Sequence, residues 1–292
     1  MDRVRRPYPS DVDDLQGQHI SSLFPRASRR GRRRTTDLRE IWNAIAYLNR
    51  SGCAWRYLPH EFPPWQTVYG YFRLWSDAGI LRIIHDFMVF QTRLLANRAP
   101  EPSILIIDCQ SAKAARGEDR GYDGFKKVQG RKRTIFTDTL GLIHSVHVGS
   151  AQRGDHVPAI KMLDPESRYF PLRTPRPLTA LYADAGYRGR IFSDLVEKHF
   201  RVLPTTKVSK HKVVCERHAP ADWRYRSVML VSNLKPVRWR VERTFAWFSY
   251  SRRLNRDYEI KTSASESMIH VAMTSLMLKR LQINPSTYSR WN

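Results

Sequence analysis

The sequence predicts an α/β carboxyl-terminal domain preceded by an all-helical amino-terminal domain. Three observations support this fold class. Apolar residues recur at helical spacing through the first hundred residues. Two short apolar runs, ILIID ending at Asp108 and LYAD ending at Asp184, are typical of buried strands that end in an acid. Two β-type segments flank Leu140-Gly141 within residues 131–150, which indicates a hairpin.

The composition indicates a globular protein that binds a polyanion. The chain has 292 residues, and 50 Lys and Arg face 27 Asp and Glu, so the formal net charge is +23. Such a charge repels itself in a compact state unless a polyanion is the partner. We interpret it as nucleic-acid binding rather than attachment to an anionic membrane surface. General solubility is a weaker explanation.

Cysteine usage and hydropathy indicate where the protein works. Cys53, Cys109 and Cys215 are far apart and form no CxxC pair, which predicts neither a disulfide framework nor a zinc site. No apolar run approaches the roughly 18 residues of a membrane helix, and the amino terminus is unlike a secretory signal. We therefore expect a soluble intracellular protein in a reducing compartment.

Four helices are predicted in the amino-terminal domain, residues 1–98. Ser10 is expected to cap the first helix and Asp37 the second, with Glu40 at capping-box spacing and Gly52 at its end. Three of the helices could form a helix-turn-helix-like DNA reader, and a plain helical bundle is an equal alternative because that motif has no sharp sequence code. The predicted helices cover about residues 10–24, 37–51, 65–77 and 80–96.

Two basic clusters are candidates for contact with the DNA backbone. The first, in a loop after the first helix, comprises Arg29, Arg30, Arg32, Arg33 and Arg34. The second, between two predicted strands, comprises Lys126, Lys127, Arg131, Lys132 and Arg133. Solvated loop charge is the alternative for both clusters. The high net charge favours DNA contact.

The polar, proline-bearing segment 97–103 is predicted to divide the domains. The second domain, residues 99–292, is predicted to begin with a strand ending at Asp108, a long loop over about 112–130 and the hairpin 131–150. A helix over about 155–163, a strand ending at Asp184 and a helix over about 190–199 are expected to follow. The last predicted elements are a strand near 200–206, a helix over about 236–250 and a final amphipathic helix.

Asp108, Asp184 and Glu242 are the candidate catalytic metal ligands. Acids at strand ends lie at the rim of an α/β sheet, where sites collect. Magnesium takes oxygen ligands and keeps waters for substrate phosphates, so two or three carboxylates suffice. Two such ions stabilise the attacking and leaving oxygens of an in-line phosphoryl displacement. The rival acids Asp138 and Asp155 are interpreted as a turn residue and a helix cap.

Five stretches, spread over nearly the whole chain, carry a family resemblance. They are YPSD at 8–11, DLREIWNAIAYLNRSGCAWRYLPHEFPPWQTVYGYFRLW at 37–75, IDCQS with RGYDGFKKVQGRKRTIFTDTLGL within 107–142, YADAGY at 182–187, and WRVERTFAWFSYSRRLNRDYE at 239–259. They resemble bacterial insertion-sequence DDE transposases of the insertion-sequence-five group.

The resemblance implies a ribonuclease-H-like catalytic domain with a mixed sheet. It implies metal-dependent DNA cleavage and strand transfer, with two Mg²⁺ or Mn²⁺ ions per active site and Asp108, Asp184 and Glu242 as the acidic triad. The implied partners are double-stranded DNA, as element ends and as target, and further copies of the chain in a homodimer or larger assembly. The implied location is the bacterial cytoplasm, without membrane attachment.

Around Glu242 the sequence departs from the related pattern. Some relatives carry a Tyr, an Arg and a Lys at fixed spacing about the third acid. Arg238 is present here, but Lys235 stands at the Tyr position and Ser249 at the Lys position. The predicted DNA contacts in this region are Arg238, Arg243, Arg252 and Arg253, of which the last two would substitute for the missing residues.

Two alternatives remain open at this point. One is a catalytically silent, transposase-derived DNA-binding protein, and the other is a nuclease that hydrolyses DNA without strand transfer. The presence of all three acids counts against the first alternative.

Overall fold

The computed structural model forms two compact units. It describes residues 5–26, 33–173, 177–187, 189–202, 204–206 and 239–281. Within these ranges, one unit comprises residues 5–26, 33–100, 113–118 and 247–281, and the other comprises residues 101–112, 119–173, 177–187, 189–202, 204–206 and 239–246. The sequence-based division at residue 98 lies close to the first boundary. It differs beyond residue 246, where the chain returns to the first unit.

Apart from the short strand at 121–123 and the 3₁₀ turns, which were not predicted, the described elements follow one another in the predicted order. They are α1 (Asp14–Ser21), α2 (Leu38–Ser51), a 3₁₀ turn (Trp55–Tyr57), α3 (Trp65–Asp77), α4 (Ile80–Leu95), β1 (Ile104–Lys113), β2 (Gly121–Asp123), β3 (Val128–Thr137), β4 (Ile143–Ser150), α5 (His156–Met162), β5 (Ala180–Ala183), a 3₁₀ turn (Ala185–Tyr187), α6 (Arg190–Phe200), β6 (Pro204–Thr206), α7 (Trp239–Phe248), a 3₁₀ turn (Arg252–Leu254) and α8 (Thr262–Leu281).

Helix ends in the first unit follow local hydrogen bonding. Asp13, rather than the expected Ser10, caps α1 by accepting a backbone N–H from the first turn. Asp37 caps α2 as predicted, and Gly52 ends that helix in the left-handed conformation at φ 76°. Glu40 does not complete a capping box at α2, because Arg5 Nε donates to its carboxylate at 2.7 Å.

Helix α8 forms the centre of the first unit. Asn49 Nδ2 of α2 donates to the Met268 carbonyl at 2.9 Å, and the hydroxyls of Ser76 on α3 and Ser267 lie 2.8 Å apart. Residues 265–274 of α8 are buried throughout. The amphipathic pattern predicted one exposed face, and that expectation is wrong for this stretch because α8 contacts α1, α2, α3 and α4.

The second unit is built on a mixed sheet, as the fold class predicted. The strand order is β2-β3-β1-β5-β6, with β4 also paired to β3. Strands β2 and β4 pair antiparallel with β3, whereas β5 pairs parallel with β1 and β6 parallel with β5. The predicted hairpin 131–150 is confirmed as β3 and β4. The predicted loop over 112–130 is shorter than expected, because β1 extends to Lys113 and β2 lies within it.

One core joins this sheet to helices α5 and α6. Leu105 and Ile107 of β1 pack in it with Leu181 and Ala183 of β5 and with residues of both helices. Side chains alternate between the two faces of a strand. The alternation directs Asp108 of β1 away from this core.

A buried histidine on β4 makes the second unit sensitive to acid. The ring of His147 packs edge-on against Tyr169, with 4.9 Å between the ring centroids. Burial lowers the pKa of His147 from 6.5 to about 4, and the nearby Lys161 acts in the same direction. The imidazole is therefore neutral in the folded protein at neutral pH.

Acidification between pH 6.5 and 4 should destabilise the second unit through His147. In this window the unfolded chain binds a proton that the folded chain excludes, so stability falls as the pH falls and is unaffected by this group above pH 6.5. At pH 5 the loss should be about 2 kcal/mol. Denaturant unfolding at pH 7 and pH 5 should show this loss in the wild type and in the exposed-site control His60→Gln, but not in His147→Gln. Equal pH dependence in all three proteins would contradict the assignment.

Candidate active site

Parallel strands β1 and β5 bring Asp108 and Asp184 to the same level. Ile106 pairs with Tyr182 in the parallel register, and each aspartate lies two residues further along its chain segment. Neighbouring strands are about 4.8 Å apart. Asp108 is buried within β1 rather than at its end, and the half-buried Asp184 accepts a hydrogen bond from the Gly186 N–H at 2.8 Å.

Asp155 joins this pair, although its position in the sequence predicted a helix cap. It occupies the N-cap position of α5, as predicted, but its side chain makes no capping hydrogen bond. A Cβ atom on Gly186 would lie 3.0 Å from Asp155 Oδ2 and 3.0 Å from Asp184 Oδ1. The two carboxylates therefore flank Gly186, and a side chain at residue 186 would press on both.

Lys132 holds the Asp155 carboxylate in place. Its Nζ donates to Asp155 Oδ1 at 2.5 Å and to the Arg153 carbonyl at 2.8 Å, and it lies 3.9 Å from Asp123 Oδ2. Burial opposes ionisation of Asp123, but the hydrogen bond from Ser111 Oγ, at 2.6 Å, and the charge of Lys132 lower its pKa. A buried ammonium thus offsets two carboxylates beside the site.

Two protonated side chains lie next to the carboxylates. Tyr187 is fully buried, and its hydroxyl has no hydrogen-bond partner among the described residues. Burial, reinforced by the charges of Cys109, Asp108, Asp155 and Asp184, raises the pKa of Tyr187 well above its ordinary value. Burial and Asp155 raise the pKa of the Cys109 thiol to about 12. Neither group is an anionic nucleophile at neutral pH.

Glu242 occupies an exposed position in the first turn of α7. This helix is anchored to the turn between β3 and β4: Arg243 Nη2 donates to the Leu140 carbonyl at 3.1 Å, and Thr244 Oγ1 donates to the Gly141 carbonyl at 2.8 Å. Within the described ranges, no three His, Cys, Asp or Glu side chains are arranged to hold a metal ion. The structure therefore brings Asp108 and Asp184 together, and the third acid stays a prediction.

Asp138 organises the turn beneath α7, as its place in the sequence predicted. Asp138 Oδ1 accepts the backbone N–H groups of Leu140 at 2.8 Å and Leu142 at 3.0 Å. Its second oxygen lies 3.2 Å from His144 Nε2, and the residue is completely buried. Asp138 is thus confirmed as a turn residue.

The predicted DNA-contacting residues differ widely in exposure. Arg29, Arg30, Arg32 and Arg238 lie outside the described residues. Arg33, Arg34, Lys126, Lys127 and Arg252 are exposed, and Arg243 is half-buried. Arg131, Lys132, Arg133 and Arg253 are buried.

For the four buried side chains the prediction of DNA contact is wrong. Arg131, Lys132 and Arg133 lie within β3, where the exposed fractions are 0%, 6% and 2%. Arg253 is enclosed with Glu259, its ion-pair partner at 2.7 Å. A cation enclosed by protein is not available to a phosphate. The sequence shows the charge of these residues but not the groups that neutralise it.

Most of the chain matches models of known protein families. Residues 99–278, more than half of the chain, match the model of the transposase DDE domain. The chain belongs to the transposase DDE domain family. Residues 12–85 also match a family described as "Putative transposase of IS4/5 family". The resemblance to insertion-sequence transposases is thereby confirmed. No curated protein and no solved structure matches the chain.

As a member of this family, the transposase is an enzyme that acts on DNA. The family generally uses divalent metal ions. In the part of the transposase that the structure describes, no helix is long and apolar enough to cross a membrane.

Substitution of Arg253 should cost stability rather than DNA contact. Arg253 donates to Glu259 at 2.8 Å through Nε and to the Cys53 carbonyl at 2.9 Å through Nη1. Arg253→Met leaves the Glu259 charge buried without its partner, which should lower the free energy of unfolding by about 3–5 kcal/mol. The exposed neighbour Arg252 provides the matched control. Arg252→Met should change the free energy of unfolding by less than about 0.5 kcal/mol. Unchanged stability of Arg253→Met in denaturant titrations, with weakened DNA binding, would contradict this expectation.

Proposed function

We propose that the transposase binds the terminal inverted repeats of its own insertion sequence, cleaves DNA at the element ends and transfers those ends to target DNA. Asp108, Asp184 and Glu242 are the proposed catalytic acids. The observation that carries the proposal is the parallel register of β1 and β5, which leaves Asp108 and Asp184 level with each other. The family match spans all three acids.

The donor chemistry of this strand edge suits Mg²⁺ or Mn²⁺. Asp108 and Asp184 offer carboxylate oxygens, and Mg²⁺ binds through one or two carboxylates while keeping positions for water and phosphate. These two aspartates would hold the metal ions, two per active site in this proposal, and Glu242 would complete the ligand set. Bound metal supplies charge stabilisation for in-line phosphoryl displacement and lowers the pKa of an attacking water.

The neighbouring side chains prepare this edge for a phosphate. Lys132 offsets the charge of Asp155, which reduces the repulsion that three close carboxylates would otherwise exert on one another. Tyr187 adds no negative charge beside them, because burial raises the pKa of its hydroxyl well above the ordinary value. Exposed Lys126, whose Nζ lies 3.4 Å from the Cys109 carbonyl, places a cation next to the strand that carries Asp108.

Binding to DNA draws on the remaining exposed cations. With a net charge of +23, affinity for DNA should fall steeply with salt, because each neutralised phosphate releases counterions. Holding two element ends together requires more than one copy of the chain, so the proposal includes a homodimer or larger assembly on DNA.

A strand-transfer assay separates this function from its alternatives. Pre-cleaved element ends are incubated with target DNA and Mg²⁺ or Mn²⁺. Joined product supports the proposal. Nicking without joining identifies a hydrolytic nuclease, and binding without either product identifies a catalytically silent DNA-binding protein.

Neutral isosteres of the three acids should abolish cleavage without abolishing binding. Asp108→Asn, Asp184→Asn and Glu242→Gln should each lower the cleavage rate by about a thousandfold, the equivalent of several kcal/mol of transition-state stabilisation. DNA affinity, measured by fluorescence anisotropy in EDTA, should change by less than about twofold. Asp194→Asn, at an exposed acid on α6, is the matched control and should cleave as the wild type does.

Asp155→Asn tests which residue is the third acid. If Asp155 only positions its neighbours through Lys132, this variant should retain more cleavage than Glu242→Gln. Loss of cleavage in Asp155→Asn with retention in Glu242→Gln would assign the third position to Asp155. Full activity in any variant would remove that residue from the catalytic set.

A further inference from the structure

The helical unit contains an open cavity of about 780 Å³ that is lined by aromatic rings. The 3₁₀ turn 55–57, helix α3 and the segment 258–264 form its walls, and Arg116 also lines it. Every lining residue belongs to the first unit. The aromatic side chains of the lining are Trp55, Tyr57, Trp65, Tyr69, Phe72 and Tyr258. None of the proposed catalytic acids takes part.

Several of these rings are left accessible in the cavity. Tyr57 is 80% exposed and Tyr258 is 44% exposed. Trp55 packs against Tyr69 and Phe72, with ring centroids 5.1 Å and 5.2 Å away. The lining of the cavity therefore combines a cluster of aromatic rings in mutual contact with rings that solvent reaches. An exposed aromatic cluster of this kind marks a binding surface more often than a stability element.

The charge around the cavity is positive. Arg56, Arg73, Arg116 and Lys261 are exposed, and the acids of the lining are Asp77 and Glu259. Glu259 is paired with the buried Arg253, and Asp77 lies 3.8 Å from Lys261. The Arg56 guanidinium lies 5.5 Å from the centroid of the Trp65 ring, so cation and aromatic surface are presented together.

We propose that this cavity binds an unpaired nucleotide of single-stranded DNA. The base stacks on the exposed aromatic rings, and Arg56 and Arg73 contact the phosphates on either side. Aromatic stacking accepts any base because every base has a π-face, and a cationic groove tracks the backbone. The volume lies within the range of about 300–1,000 Å³ that is usual for pockets binding small molecules.

Duplex DNA cannot make the same stacking contacts with the aromatic rings of this cavity. Within a duplex each base face is covered by its neighbours, so aromatic rings in a concave cavity gain contact only with an unstacked base. Double-stranded DNA therefore uses the exposed cations but not the rings. The inference goes beyond the proposed function, since it adds a second, metal-independent DNA site to the chain.

The test compares single-stranded and duplex DNA on the full chain in EDTA. Fluorescein-labelled oligothymidylate and a labelled duplex of equal length are titrated by anisotropy. Tyr57→Ala and Tyr258→Ala should each raise the Kd for the single strand by about tenfold, the equivalent of stacking one base. The Kd for the duplex should change by less than about twofold. Tyr250→Ala, at a 58% exposed tyrosine outside the cavity, should change neither.

The cationic rim is tested by salt dependence. Arg73→Ala should reduce the slope of log K against log salt for the single strand by about 0.7, as loss of one phosphate contact requires. The exposed Arg98, outside the cavity, is the matched control, and Arg98→Ala should leave the slope unchanged. Tyr57→Phe and Tyr258→Phe keep the rings and should bind as the wild type does.

Three results would overturn the inference. The first is unchanged affinity for the single strand in both Tyr57→Ala and Tyr258→Ala. The second is an equal loss of affinity for the single strand and for the duplex in these variants. The third is that polyglutamate displaces the labelled single strand as effectively as unlabelled oligothymidylate does. Because binding is measured without metal, retained cleavage in the acid variants contradicts only the catalytic proposal and does not bear on the single-strand site. Intact single-strand binding in the cavity variants contradicts only the proposal that the cavity binds an unpaired nucleotide.

Discussion

The parallel pairing of β1 with β5 is the constraint on which the rest of the catalytic unit depends. Its register sets Asp108 level with Asp184, although they lie 76 positions apart in the chain. The apolar residues on the other face of both strands pack against α5 and α6, and a slip of one residue would turn that core outward. The same packing that stabilises the sheet therefore holds the two carboxylates together.

Concentrating acids at one strand edge creates a repulsion that the fold must offset. Lys132 serves this purpose from within β3, by contacting Asp155 and approaching Asp123. Asp138 acts differently, because its carboxylate accepts hydrogen bonds from backbone N–H groups of the turn that supports α7. Acids of the same chemical type thus have separate roles because their surroundings differ, and the roles follow from which donors each carboxylate meets.

Positive charge in the transposase likewise divides into two kinds. Some cations, such as Lys132 and Arg253, are buried beside carboxylates and stabilise the fold. Others, such as Arg56 and Arg73, remain exposed next to aromatic rings and are available to a polyanion. The net charge of +23 counts both kinds equally, so burial and pairing must be known before any one cation is assigned to DNA.

The sequence by itself determined the order and type of most elements, though not β2, together with the family, the hairpin and the two aspartates, because these follow from local periodicity and from motifs contiguous in the chain. It also identified Asp138 as a turn residue. Only the tertiary structure decided that α8 packs among α1–α4, that the Asp155 side chain pairs with Lys132 and not with the backbone of α5, and that Arg131, Arg133 and Arg253 are buried. Each of these depends on partners distant in sequence, and a pattern of residue types along one chain does not specify which distant groups meet.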